Sequence, residues 1–134
     1  MEQSRCRFGE KILGGRMTAH QYPLRGEIYY VNLPGKPSSH SSRPALVVSM
    51  DVRNRLADDV IVVPLTTTQR AAPTHVHLDE GEGGLDKPSM AKCEQITTID
   101  KSLLIKGPFA GTVSPARIRE IEKAIQRAIG IFLL

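Results

Sequence analysis

The stretch SSRPALVVS, residues 41–49, turns from small polar residues into a hydrophobic run across one arginine and one proline. The run PALVVSM has the length and β-branched content of a buried strand, with Pro44 at its first position, where a missing N–H is tolerated. Arg43 therefore stands at the mouth of a strand, behind a soft loop. It is either a solvated strand-end charge or a five-donor side chain held to meet an anion.

Working outward, short strands follow in both directions. GEIYYVNL (26–33) mixes β-branched and aromatic residues in partial alternation and reads as a strand. LPGKPSSHSS (33–42) is a loop by composition, and its part from Gly35 to Ser42 reads as a mobile lid. Asp51 is a fitting N-cap for a helical turn VRNRLA. VIVVPLTT (60–67) reads as a strand in which Pro64 implies an edge or a bulge. THVHLD (74–79) alternates, and DEGEGGLDKP (79–88) is an acidic glycine-rich turn. SMAKCEQIT (89–97) and PFAGTV (108–113) read as two more strands. Ser114-Pro115 then opens a helix, serine as N-cap and proline first. Ile118, Ile121, Ile125, Ile129 and Phe132 recur at spacings of three and four, an apolar stripe expected to be core. Short strands closed by one amphipathic helix predict a mainly-β domain, a small twisted sheet or partly open barrel with the helix packed on it.

Bulk properties narrow the function classes. The 134 residues fit one domain, and 40% hydrophobic with 24% charged is ordinary for a globular protein. No apolar run is long enough to span a bilayer, and the N-terminus lacks a signal-type apolar core, which places the chain in the cytoplasm. Residues 1–23 are polar, aperiodic and hold Gly9, Gly14 and Gly15; they read as a flexible extension, with the folded domain over 24–134. The net charge is +4; Arg5, Arg7, Lys11 and Arg16 against Glu2 and Glu10 put half of it in the first 20 residues. A polyanionic partner is thus permitted rather than demanded. Cys6 and Cys93 support neither a disulfide framework nor a metal knuckle. His75 and His77 share a strand face, yet no third ligand accompanies them, so they read as surface histidines and no metal is expected. Cys93 reads as buried and inert. Tyr29 and Tyr30 are the aromatic surfaces on which bases would stack.

The order RGEIYYVNL, polar loop, RPALVVS, VIVVPLTT, THVHL, CEQITTIDKSLL resembles the MazF/Kid/PemK family of toxin endoribonucleases, over Leu24 to Phe132. RPALVVS and EQITTIDKSLL carry most of the weight. The resemblance implies an SH3-like barrel with a C-terminal helix, a homodimer, no cofactor, and a cognate antitoxin whose acidic disordered segment occupies the RNA groove. It implies metal-independent cleavage of single-stranded mRNA by the substrate's 2′-OH, leaving 2′,3′-cyclic phosphate and 5′-OH ends. Carried across, the RP arginine is Arg43 and the threonine ending VPLT is Thr66. Kid-like members flank the strand cysteine with an arginine and an acidic residue; here these positions are Lys92 and Glu94. On a strand those two would share a face, with Glu94 as general base and Lys92 on the RNA. Gln95 either reads a base edge or satisfies backbone groups. His40 either reaches substrate from the loop or has no role, and Arg70 would track the RNA backbone. Two other classes share this fold: a gyrase-poisoning toxin of CcdB type, and a non-catalytic RNA-binding module.

Overall fold

The computed structural model describes residues 22–33 and 42–132. The loop 34–41, including His40 and most of the expected lid, and nearly all of the N-terminal extension lie outside the described residues. Seven strands and two α-helices are present among those described: β1 Ile28–Asn32, β2 Ser42–Val47, α1 Asp51–Leu56, β3 Asp59–Thr66, β4 His75–Leu78, β5 Ser89–Lys92, β6 Thr97–Asp100, β7 Leu104–Lys106 and α2 Pro115–Ala128. Every pairing is antiparallel, in the order β4-β5-β3-β2-β1-β7, with β6 also on β3. The mainly-β architecture with a terminal helix is the one the sequence predicts.

Alternation along the strands builds two cores. Ile28, Leu46, Val63, Leu65, Val76, Leu78 and Ala91 point to one face, which α2 covers with Ile121 and Ala124. The intervening residues Tyr29, Val31, Ala45, Val47, Val60 and Val62 form a second core with Ile99 and Leu104 from β6 and β7. Successive side chains of a strand point oppositely, so β1, β2 and β3 each feed both cores. Burial of this apolar surface on two faces supplies the main stabilisation.

Pro64 is not at an edge. β3 is central, but its partner on one side changes along its length: β6 over Asp59–Val62, then β5 at Leu65 and Thr66. Pro64 falls at that changeover, where no ladder donor is required of it. Pro44 is the third residue of β2 rather than the first, paired with Tyr30. Asp51 begins α1 instead of capping it, because its carboxylate accepts the Arg25 N–H at 2.7 Å. Residues 107–113 are irregular and not a strand; Phe109 N and Val113 N donate to the carbonyls of Ile28 and Gly26. Gly107 makes that path possible: a Cβ there would lie 2.8 Å from the Tyr29 ring.

Ser114 caps α2 as expected, its hydroxyl accepting from Arg117 N at 3.1 Å, with Pro115 first. The apolar stripe is core only over its first three turns. Ile129 and Phe132, past the end of α2 at Ala128, are exposed. Arg117 instead anchors α2 to the acidic turn, reaching Glu82 at 2.6 and 3.0 Å and Glu120 at 3.0 Å. That hydrogen bonding outweighs burial and holds the Glu82 carboxyl below its usual range. No described helix is long and apolar enough to cross a membrane.

Candidate functional site

The second face of the sheet changes character along its length. Where β6 and β7 close over it, it is apolar; beyond them it carries polar side chains. β2 and β3 pair as Ala45 with Pro64 and Val47 with Val62. The ladder ends at Ala45 and Pro64; Arg43 and Thr66 lie two residues further along these neighbouring strands, on the same faces as that pair. Thr66 in turn pairs with Met90 of β5, and Met90 with His77 of β4. Two residues beyond Met90 on β5, Lys92 is the cross-strand partner of His75. Thr66, Met90 and His77 thus form a row across three strands, and Lys92 and His75 share their face.

Each side chain is held by its surroundings. Arg43 is half-buried, beside Val31 at the rim of the second core. Thr66 is half-buried, and its Oγ1 accepts from Thr68 N at 3.2 Å. That turn closes the strand and orients the hydroxyl, whose O–H remains available to a phosphate oxygen. Arg43 and Thr66, 23 residues apart in sequence, therefore stand on neighbouring strands, and Lys92 lies one strand further on.

Glu94 is placed differently from the expectation. β5 ends at Lys92, and Cys93–Gln95 form a 3₁₀ turn. The two-residue period stops there, so Lys92 and Glu94 do not share a strand face. Glu94 instead turns towards β4: its Oε1 accepts from the Thr74 hydroxyl at 2.9 Å, and its Oε2 meets His75 Nε2 at 3.2 Å. Partial burial pushes this carboxyl up, but its own turn N–H, Thr74 and His75 together outweigh that and hold it below its ordinary value. A carboxylate so held is ionised at neutral pH and a weak proton acceptor.

His75 is not a surface histidine. Its side chain is 9% exposed, and Nδ1 contacts the Arg70 carbonyl at 2.7 Å. No feature of THVHL distinguishes it from His77, since its two partners lie 5 and 19 residues away. His77 is more exposed, bracketed by Gln69 Oε1 at 3.0 Å and Asp79 Oδ1 at 2.9 Å. Among the described residues no group of three His, Cys, Asp or Glu side chains could hold a metal ion. The Arg70 side chain is exposed on the loop after Thr66, and Gln95 is half-buried in the 3₁₀ turn. Arg53 is engaged by Asp59 at 2.7 Å. Cys93 is buried, and its thiol is pushed up to about 12 by burial and by Glu94, against Arg127. Tyr29 is 0% exposed and donates its hydroxyl to Glu27, so it offers no face for a base; Tyr30, 38% exposed, does.

A mainly-β domain whose sheet carries an arginine, a threonine and a lysine on one face has the donors that suit phosphate oxygens. The match to known proteins is specific. Residues 24–129 match the model of the PemK-like, MazF-like toxins of type II toxin–antitoxin systems, and the chain belongs to that family. The chain is 34% identical over 109 residues to endoribonuclease MazF4 of Mycobacterium tuberculosis, covering 81% of this chain and 94% of that one. It is 37% identical over 84 residues to endoribonuclease EndoA of Bacillus subtilis, 60% of this chain and 72% of that protein. A mycobacterial endoribonuclease solved in complex with its cognate antitoxin superposes with a TM-score of 0.70 at 33% identity, over 84% of this chain and 99% of that one.

Proposed function

We propose that this protein is an endoribonuclease toxin that cleaves single-stranded mRNA without metal, in the cytoplasm. What supports the reading is the placement of Arg43 and Thr66 at the ends of the neighbouring strands β2 and β3. The substrate's 2′-OH attacks the adjacent phosphorus; a 2′-oxygen–phosphorus bond forms and the bond to the 5′-oxygen breaks. Thr66 Oγ1 takes the 2′-OH proton while passing its own hydrogen to a phosphate oxygen, from which it reaches the departing 5′-oxygen. The products are a 2′,3′-cyclic phosphate and a 5′-OH, and no water is consumed. Arg43 grips the phosphate and stabilises the extra charge of its five-coordinate form, a role that suits a planar, permanently charged fork. Glu94, ionised and already accepting two hydrogen bonds, serves as an anchor rather than as the base. Lys92, Gln95 and Arg70 bind the flanking nucleotides. The toxin acts as a homodimer over residues 24–134, and its antitoxin inserts an acidic disordered segment that competes for the donors arranged for phosphate.

The test is incubation of the purified protein with a long single-stranded RNA in EDTA, beside Arg43→Ala, with the ends mapped. Cuts at a short recurring sequence with cyclic-phosphate ends, absent in the variant, are expected. No cuts by a folded wild-type protein would overturn the reading, and gyrase supercoiling would be tested next.

A further inference from the structure

Two segments adjoin the face that carries Arg43 and Thr66: the loop 67–74, which carries Arg70, and the turn Cys93–Gln95 that follows Lys92. They are joined through Thr74 and, across a longer reach, through His75. His75 opens β4, an edge strand, yet its ring is 9% exposed. One ring nitrogen meets the Arg70 carbonyl at 2.7 Å and the other meets Glu94 Oε2 at 3.2 Å. Both partners only accept, so both contacts are hydrogen bonds only when both ring nitrogens carry hydrogen. The second Glu94 oxygen takes the Thr74 hydroxyl at 2.9 Å, and Cys93 N donates to the Thr74 carbonyl at 2.9 Å. His75 is also the cross-strand partner of Lys92.

Resting on the proposed cleavage of RNA, we propose that His75 is a positioning residue for that reaction: it clasps the turn 93–95 to the loop 67–74, so that Lys92, Gln95 and Arg70 bind the RNA as one surface. The clasp acts on substrate binding and not on the bond-breaking step, because neither arm reaches Arg43 or Thr66. The loop keeps an attachment that does not involve His75, Arg127 Nε donating to the Pro73 carbonyl at 2.8 Å, so loss of the clasp loosens the surface without releasing the loop.

The two arms are separable. An asparagine amide sits near the ring's Nδ1 and keeps the Arg70 arm; a glutamine amide sits near Nε2 and keeps the Glu94 arm. His75→Asn, His75→Gln, Glu94→Ala and the double variant His75→Asn/Glu94→Ala are compared with wild type for thermal unfolding and for KM and kcat on a short fluorogenic RNA carrying the mapped cleavage sequence. The expected result is folded single variants, KM raised about tenfold in His75→Asn and less in His75→Gln, and kcat within about threefold of wild type. The double variant should be no worse than the poorer single variant, because both remove the same link. Unchanged KM in His75→Asn, a loss confined to kcat, or effects that multiply in the double variant would each overturn the clasp. Failure of both histidine variants to fold would make His75 a structural residue and overturn it too. No cleavage by the wild type would remove the proposed function, and this inference with it, a result distinct from wild-type cleavage with unaffected variants.

Discussion

The two faces of the sheet come from the same strands and alternate residue by residue, yet they have separate tasks. The helix-covered face is apolar throughout: Leu46, Val63, Leu65, Val76 and Ala91 meet Ile121 and Ala124. The other face begins as core at Val47, Val62 and Ile99 and ends as Arg43, Thr66, Lys92 and His75. Stability and chemistry are thereby placed on adjacent residues without interfering, since a side chain serves one face only. Arg43 and Leu46, three positions apart, should fail in different ways when removed.

The largest effect should come from the polar face. Arg43→Ala should lower kcat/KM about a thousandfold or more while shifting the melting temperature little, as checked by RNA cleavage and circular dichroism; near-wild-type activity would erase the distinction between the faces. Thr66→Val, which keeps the shape and removes the hydroxyl, should cost about a hundredfold in kcat, and Thr66→Ser should recover most of it. On the covered face, Leu46→Ala should leave the kcat of the folded fraction near wild type but destabilise the protein by about 2–5 kcal/mol in urea titration, because a fully buried side chain leaves a cavity.

A smaller effect sharpens the comparison at the edge where α2 joins the acidic turn. Glu82, held by Arg117, has its carboxyl lowered in the folded state. Its contribution is therefore present above the unfolded carboxylate range and is lost as pH falls through the lowered folded value. Glu82→Gln should cost about 1–2 kcal/mol at pH 7, and its difference from wild type should shrink as pH falls through the lowered folded value, measured by paired urea titrations. A difference that persisted in acid would mean that packing, not charge, makes the contact.

Much of this was legible in local pattern. The strand signals of GEIYYVNL, PALVVSM, VIVVPLTT and THVHL, and the Ser114-Pro115 start of the helix, depend on residues within a few positions of one another, where propensity and period act. The errors share a cause in longer range. Pro64 reads as an edge because its neighbours cannot reveal that β3 changes partner beside it. Tyr29 reads as available because the pattern does not tell which face closes. SMAKCEQIT reads as one strand because nothing local marks the turn after Lys92.

From its sequence alone, this protein is determined to be a mainly-β domain ending in an amphipathic helix, with an arginine and a threonine at strand ends in the motifs of a toxin family. Those are properties of short segments, set by backbone preference and alternation. Only the tertiary structure decided that the strand ends carrying Arg43 and Thr66 are neighbours, that Glu94 turns from Lys92 to His75, and that His75 is enclosed. Each depends on the register between strands distant in the chain, which is fixed by the simultaneous packing of two cores and not by any one segment.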